Sequence, residues 1–161
     1  MIPPIMDVVP LEDAHRIEFE RGAKWDHRFL RLASEVASWS KDTSTKVGAV
    51  IVRPDHTVAS LGFNGFPRGI DDTPERLSDR DVRLALTVHA EINAILSSHV
   101  PVRGCTLYAT LPCCDRCAAQ IIQAGISRVI SLPASPAQSA RWGESFERAR
   151  FMLSEAGVFT I

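Results

Sequence analysis

His89-Ala90-Glu91 and, further on, Cys113-Cys114-Asp115-Arg116-Cys117 hold the residue types that bind a transition metal and use it. One His and two Cys hold a zinc ion by three bonds and leave its fourth position to water. That is the ligand count of a catalytic site, since structural zinc sites close all four positions. Zinc held this way lowers the pKa of its water toward neutrality. Glu91, two residues past the His, is placed to move protons at the open position. Three of the four cysteines crowd into five positions and the fourth is Cys105, a poor disulfide framework and a good metal cluster. His15, His27, His56 and His99 stand apart from the cluster, and none is expected to be a fourth ligand.

Three cysteines compete for two ligand places. Cys114 with Cys117 has the i, i+3 spacing that puts both sulfurs on one side of a helical turn, and Cys113 with Cys117, at i, i+4, also shares a face.

These residues need elements to bring them together. Residues 26–39 read as an amphipathic helix, with Phe29, Leu32, Val36 and Trp39 at spacings of three and four. Residues 47–52 are rich in β-branched residues and suit a buried strand; Pro54-Asp55 turns the chain, and 57–63 return as the second arm of a hairpin. Residues 64–81 read as a long loop rich in Gly, Pro and charge, a length that points to function or disorder. A helix over 86–96, a strand over 106–109, a helix over 114–124 ending at Gly125 and a strand over 128–132 follow. Residues 133–139 read as a loop, 141–156 as a helix with Trp142, Phe146, Ala149 and Leu153 on one face, and 158–161 as a last strand or tail. The early hairpin is antiparallel, and the later strand–helix alternation favours parallel pairing. The expectation is an α/β protein of three α/β/α layers around a mixed sheet of about five strands. Residues 1–23, with Pro3, Pro4 and Pro10, read as an N-terminal extension to a single domain over 24–161. In that arrangement a single strand brings the starts of the two ligand-bearing helices to one sheet edge, where their partial positive charge stabilises thiolates.

Composition narrows the function classes. A chain of 161 residues with 45% hydrophobic and 23% charged residues is an ordinary globular balance. A net charge of −1 offers no field for a polyanion, so nucleic acid is not an expected partner. No apolar run approaches the roughly 20 residues of a membrane span, and the first ten residues lack the basic start of a signal peptide. The expectation is a cytoplasmic protein without a membrane partner.

The order His-x-Glu, strand, Cys-x-x-Cys is the signature of zinc nucleobase deaminases. The chain resembles the cytidine and deoxycytidylate deaminase family, most closely its deoxycytidylate branch, over about residues 25–131. The resemblance rests on the segments at 40–50, 62–69 (Gly-Phe-Asn-Gly-Phe-Pro-Arg-Gly), 89–95 and 107–117. It implies zinc on His89, Cys114 and Cys117, with Glu91 as proton shuttle. Its register prefers Cys114 and leaves Cys113 in the usual proline slot, Pro112 standing one residue early; Cys113 is then a buried filler or a spare thiol near the metal. It also implies Asn64 on a sugar hydroxyl, Arg68 as a candidate phosphate ligand, and a homo-oligomer. The activity implied is hydrolysis of a cytosine nucleotide, dCMP to dUMP plus ammonia. Two alternatives stand beside it: a deaminase of another base or nucleotide (a purine, a modified pyrimidine or a tRNA adenosine), and a nucleotide-binding module of the same fold without turnover.

Overall fold

The computed structural model describes residues 11–161, with side chains from residue 22 onward. A helix over Leu11–Ser38 (α1) leads into a strand over Gly48–Val52 (β1) and its antiparallel partner Val58–Phe63 (β2). Two short helices follow, Pro74–Ser78 (α2) and Arg80–Leu86 (α3), then Ala90–Leu96 (α4). The remainder alternates: Thr106–Ala109 (β3), Asp115–Gln123 (α5), Arg128–Ser131 (β4), Pro136–Glu155 (α6) and Phe159–Thr160 (β5). The sheet has five strands in the order β2-β1-β3-β4-β5. β1 is antiparallel to β2 and to β3, whereas β3, β4 and β5 run parallel. The expected mixed five-stranded sheet is therefore present.

Alternation along the strands sorts the core into two layers. Ala49, Ile51, Leu107 and Val129 face α4, α5 and α6. Val50, Val52, Tyr108 and Ile130 face α1, where Phe29, Ala33 and Val36 meet them. β1 is buried along its whole length, as a central strand covered on both faces must be. Tyr108 Oη donates to Asp26 Oδ1 at 2.6 Å, and Arg128 lies 3.4 Å from Asp26, so α1 is also tied to the sheet by a polar contact at its edge.

Two glycines set how closely helices sit on the sheet. A Cβ at Gly48 would collide with Ala33 O and Ala37 N of α1, and one at Gly62 with Ala94 N and Ala90 O of α4. The buried stripe of α1 accordingly runs through Phe29, Ala33, Val36 and Ala37. Trp39, expected in the core, lies just past the helix, 48% exposed and edge-on to Phe63. Small residues at 33 and 37 let β1 approach, which turns the helix away from the face that large residues alone suggest.

Other boundaries differ from expectation for local reasons. The expected extension over 1–23 falls in part outside the described residues; within them, 11–23 form the first turns of α1, and 11–21 contain no Pro or Gly to stop a helix. The expected loop over 64–81 holds α2 and most of the approach to α3, because Thr73 caps one helix and Asp79 the next through their side-chain oxygens. The expected helix over 86–96 is broken. Val88 pairs with Gly65 as an isolated antiparallel bridge, their backbone bonds measuring 3.1 and 2.8 Å, and α4 starts only at Ala90. Helix α6 starts at Pro136, within the expected loop over 133–139. Ser135 and Gln138 form a reciprocal capping box and Pro136 occupies the first turn. No helix among the described residues is long and apolar enough to cross a membrane.

Candidate metal centre and substrate cavity

The strand registers gather the motifs at one end of the sheet. Gly48 pairs with Phe63 and Ala49 with Ala109, so the start of β1 and the ends of β2 and β3 lie together. Thr110 fastens this end: its N–H donates to Gly48 O, and its Oγ1 accepts from Gly48 N, both at 3.1 Å. Asn64, residues 40–47 and residues 110–114 all leave the sheet here.

His89 and Cys114 occupy equivalent places, each the N-cap of its helix with extended backbone (ψ 154° and 167°). Neither side chain makes the capping hydrogen bond that a Ser or Asp would make there. The Val88–Gly65 bridge holds His89 extended, and the side chains turn toward each other instead. His89 Nδ1 lies 3.5 Å from Cys114 Sγ and 3.3 Å from Cys117 Sγ. The ligand atoms of His89, Cys114 and Cys117 all fall within 4.8 Å of one another, and these three residues are positioned to hold a metal ion. Cys113 is 4% exposed and packs in the core beneath α5, outside that group.

The charges suit a cation. The Cys114 thiol is pushed down, first by the hydrogen bond from Cys117 and then by His89. The first turn of α5 adds its partial positive charge. Cys117, buried and donating to Cys114, is pushed up instead. The hydrogen bond with Cys114 raises His89, against the opposing effect of burial. Soft thiolates and an imidazole converging from two helix starts, with uncapped side chains, fit zinc with one position open.

Glu91 sits in the first turn of α4, 4% exposed. Burial raises its carboxyl above the usual range, and its own backbone N–H and the nearby His89 pull it back in part. A carboxyl raised this way is a stronger base than an exposed one, which suits a group that must accept a proton.

His89, Glu91 and Cys114 line a cavity of about 140 Å³. Its apolar walls are Leu111 and, from α6, Trp142 and Phe146; Asn64 and Thr45 supply polar edges. Asn64 is buried, its Oδ1 accepting from Val47 N at 2.8 Å while Nδ2 donates to Thr45 O at 2.9 Å. One Nδ2 hydrogen remains beyond those bonds. Arg68 is exposed and stands outside the cavity lining, on the turn after β2.

Several lining residues escaped the sequence reading. Arg83 and Asp42 form a pair 3.6 Å apart with side chains 11% and 10% exposed. Arg83 also donates to Leu77 O at 2.6 Å and to Thr43 Oγ1 at 3.1 Å, which ties α3 to the 40–47 loop. Asp42 Oδ1 accepts from Ser44 N and Thr45 N at 2.7 and 2.8 Å and shapes that loop. Asp42 lay within a matched segment, but its partner Arg83 lay between the expected loop over 64–81 and the expected helix over 86–96, where no element was assigned. Arg141, Trp142 and Phe146 were assigned to a helix whose contact with the site has no signal in spacing. That contact is made by Asp115, which accepts from Arg148 Nε at 2.7 Å while its N–H donates to Ser145 Oγ at 3.2 Å, clamping α6 to the start of α5.

Known proteins are similar to this chain in sequence and fold. The sequence model of the cytidine and deoxycytidylate deaminase zinc-binding region matches residues 23–132. An uncharacterized deaminase in the luxG 3′ region of Aliivibrio fischeri is 43% identical over 136 residues, covering 84% of this chain and 91% of that one. The deoxycytidylate deaminase of Homo sapiens is 36% identical over 143 residues, covering 84% of this chain and 77% of that one. The crystal structure of the dCMP deaminase of cyanophage S-TIM5 in complex with dCMP and dUMP superposes with a TM-score of 0.67 at 21% identity, over 86% of this chain and 96% of that one, and so shares the fold. With a match that spans both ligand motifs and every strand from β1 to β4, the chain belongs to the cytidine and deoxycytidylate deaminase zinc-binding family.

Proposed function

We propose that the protein is a zinc-dependent hydrolase that removes the exocyclic amine of a cytosine nucleotide, converting dCMP and water to dUMP and ammonia. The observation that carries this reading is the buried carboxyl of Glu91 at the same cavity as a His-Cys-Cys metal-holding cluster. Relatives at 34–39% identity are named deoxycytidylate deaminase or probable deoxycytidylate deaminase, and this supports dCMP as the substrate.

His89, Cys114 and Cys117 hold the zinc, which when bound supplies a Lewis acid that acidifies water near neutral pH. Glu91 takes a proton from the attacking water and hands it to the ring nitrogen beside the reacting carbon, then takes the proton of the new hydroxyl on that carbon and delivers it to the amine as the C–N bond breaks and the carbonyl forms. Its burial raises the carboxyl, which makes it a better proton acceptor. Leu111, Trp142 and Phe146 limit water around the base. Asn64, held by Val47 and Thr45, presents its remaining N–H toward a sugar hydroxyl. Cytoplasmic location and self-association belong to the same proposal; exposed Phe151, Phe159 and Ile161 give the chain apolar surface for a second copy.

Ammonia release from dCMP, CMP, deoxycytidine, dCTP and amino-purines, with zinc measured on the same sample, tests the reading. Turnover should be fastest with dCMP. Release from a purine and from no cytosine compound would overturn it.

A further inference from the structure

The cavity carries more positive charge than its chemistry at the metal needs. Its lining includes three arginines, Arg80, Arg83 and Arg141, and two carboxylates, Asp42 and Glu91. Arg83 is neutralised by Asp42 and used up in structural hydrogen bonds. Glu91 is buried beside the metal-holding group. Arg80 and Arg141 remain. Arg80 has only an exposed contact with its neighbour Asp81 at 3.5 Å, a pairing worth little in water. Arg141 pairs with no carboxylate among the described residues. Its guanidinium instead lies over the Trp142 ring, 5.3 Å from the centroid, and is thereby held at the cavity wall. Arg68 lies outside the lining altogether.

Resting on the nucleotide-deaminase reading above, we propose that Arg141, assisted by Arg80, binds the substrate phosphate and so restricts the enzyme to nucleotides over nucleosides. Zinc with two thiolates is neutral overall, so the metal centre offers a dianionic substrate no net attraction. The unpaired guanidiniums supply it, and a guanidinium forks onto two phosphate oxygens. Arg141 stands on α6, beyond the segment over 23–132 that the family model matches. Substrate choice is thus set by an element outside the matched segment, clamped to the metal-bearing helix through Asp115 and Arg148.

Steady-state kinetics with dCMP and deoxycytidine on the zinc-loaded enzyme test this, using Arg141→Ala, Arg141→Lys, Arg68→Ala and, as a control on the same helix, Arg150→Ala. Arg141→Ala should raise KM for dCMP about ten- to a hundred-fold with kcat little changed. Its kcat/KM for deoxycytidine should stay near wild type, Arg141→Lys should recover part of the loss, and Arg150→Ala should behave as wild type. An unchanged KM for dCMP in Arg141→Ala, an equal loss on both substrates, or a phosphate-selective loss in Arg68→Ala alone would overturn the assignment. A wild-type enzyme inactive on every cytosine compound would strike the function reading itself. A wild type active on dCMP with an indifferent Arg141→Ala would strike this inference alone.

Discussion

Three adjacent thiols divide their roles by the direction in which the backbone presents them. Cys114 caps α5 with extended backbone and faces His89; Cys117 follows one turn later; Cys113 points into the core. Cys114→Ala should therefore abolish stoichiometric zinc binding, read by metal analysis of the purified chain. Cys113→Ala should keep one zinc per chain and lose about 1 kcal/mol of stability or somewhat more, the scale of a small buried group left as a void. The opposite pattern of metal loss would exchange the two cysteines. The competition among thiols was visible in spacing alone, since both pairs fit one helical face. The direction of each side chain separates them: the sulfurs of Cys114 and Cys117 meet His89 and that of Cys113 does not, and such direction next to a helix start has no signature in sequence.

At the scale of elements, close backbone approach decides where the site can form. Helix α4, which carries Glu91, lies on β2 at Gly62 with no room for a Cβ, and Asn93 Nδ2 donates to Phe63 O at 2.8 Å to fix its angle. Gly62→Ala should push α4 off the sheet, lower the urea midpoint by the equivalent of about 1–3 kcal/mol, and depress zinc affinity because His89 moves with the helix. A variant with wild-type midpoint and full zinc content would show that α4 accommodates the methyl and does not depend on this contact. The strands were readable because β-branched runs and alternation report burial directly: 47–52 and 106–109 fall on β1 and β3 within a residue or so. The helix breaks were not. Thr87 and Val88 look like the interior of an apolar helix, and only pairing of Val88 with Gly65, 23 residues distant, draws them out of it. The start of α6 was legible in principle, since Ser135-Pro136 followed by Gln138 is a capping sequence.

For the whole molecule, one end of the sheet collects two helix starts, the 40–47 loop, Asn64 and the aromatic face of α6 around a small cavity. A metal held by His89, Cys114 and Cys117 would therefore also hold the sheet end together. The residues positioned to hold it start α4 and α5, 25 residues apart in sequence, so a bound zinc would cross-link two elements that are otherwise joined by packing and by the contacts of His89 with the two thiols. Removing zinc with a chelator should lower Tm by at least ~5 °C, reversed by added zinc, because a ligand that binds only the folded state stabilises it. An unchanged Tm on full metal removal would mean that the packing of α4 and α5 needs no such link. The cluster positioned to hold a metal was legible in the sequence because its three residues come as short local motifs. The cavity walls were not, because Arg83, Arg141 and Trp142 reach the site only through the tertiary fold. The most direct test of the central claim, that Glu91 carries protons for hydrolysis at a His-Cys-Cys zinc site, is dCMP turnover by Glu91→Gln with its zinc content measured on the same sample. Retention of one zinc per chain with a loss of about 10²–10⁴ in kcat is the expected result; near-normal turnover by that variant would contradict it.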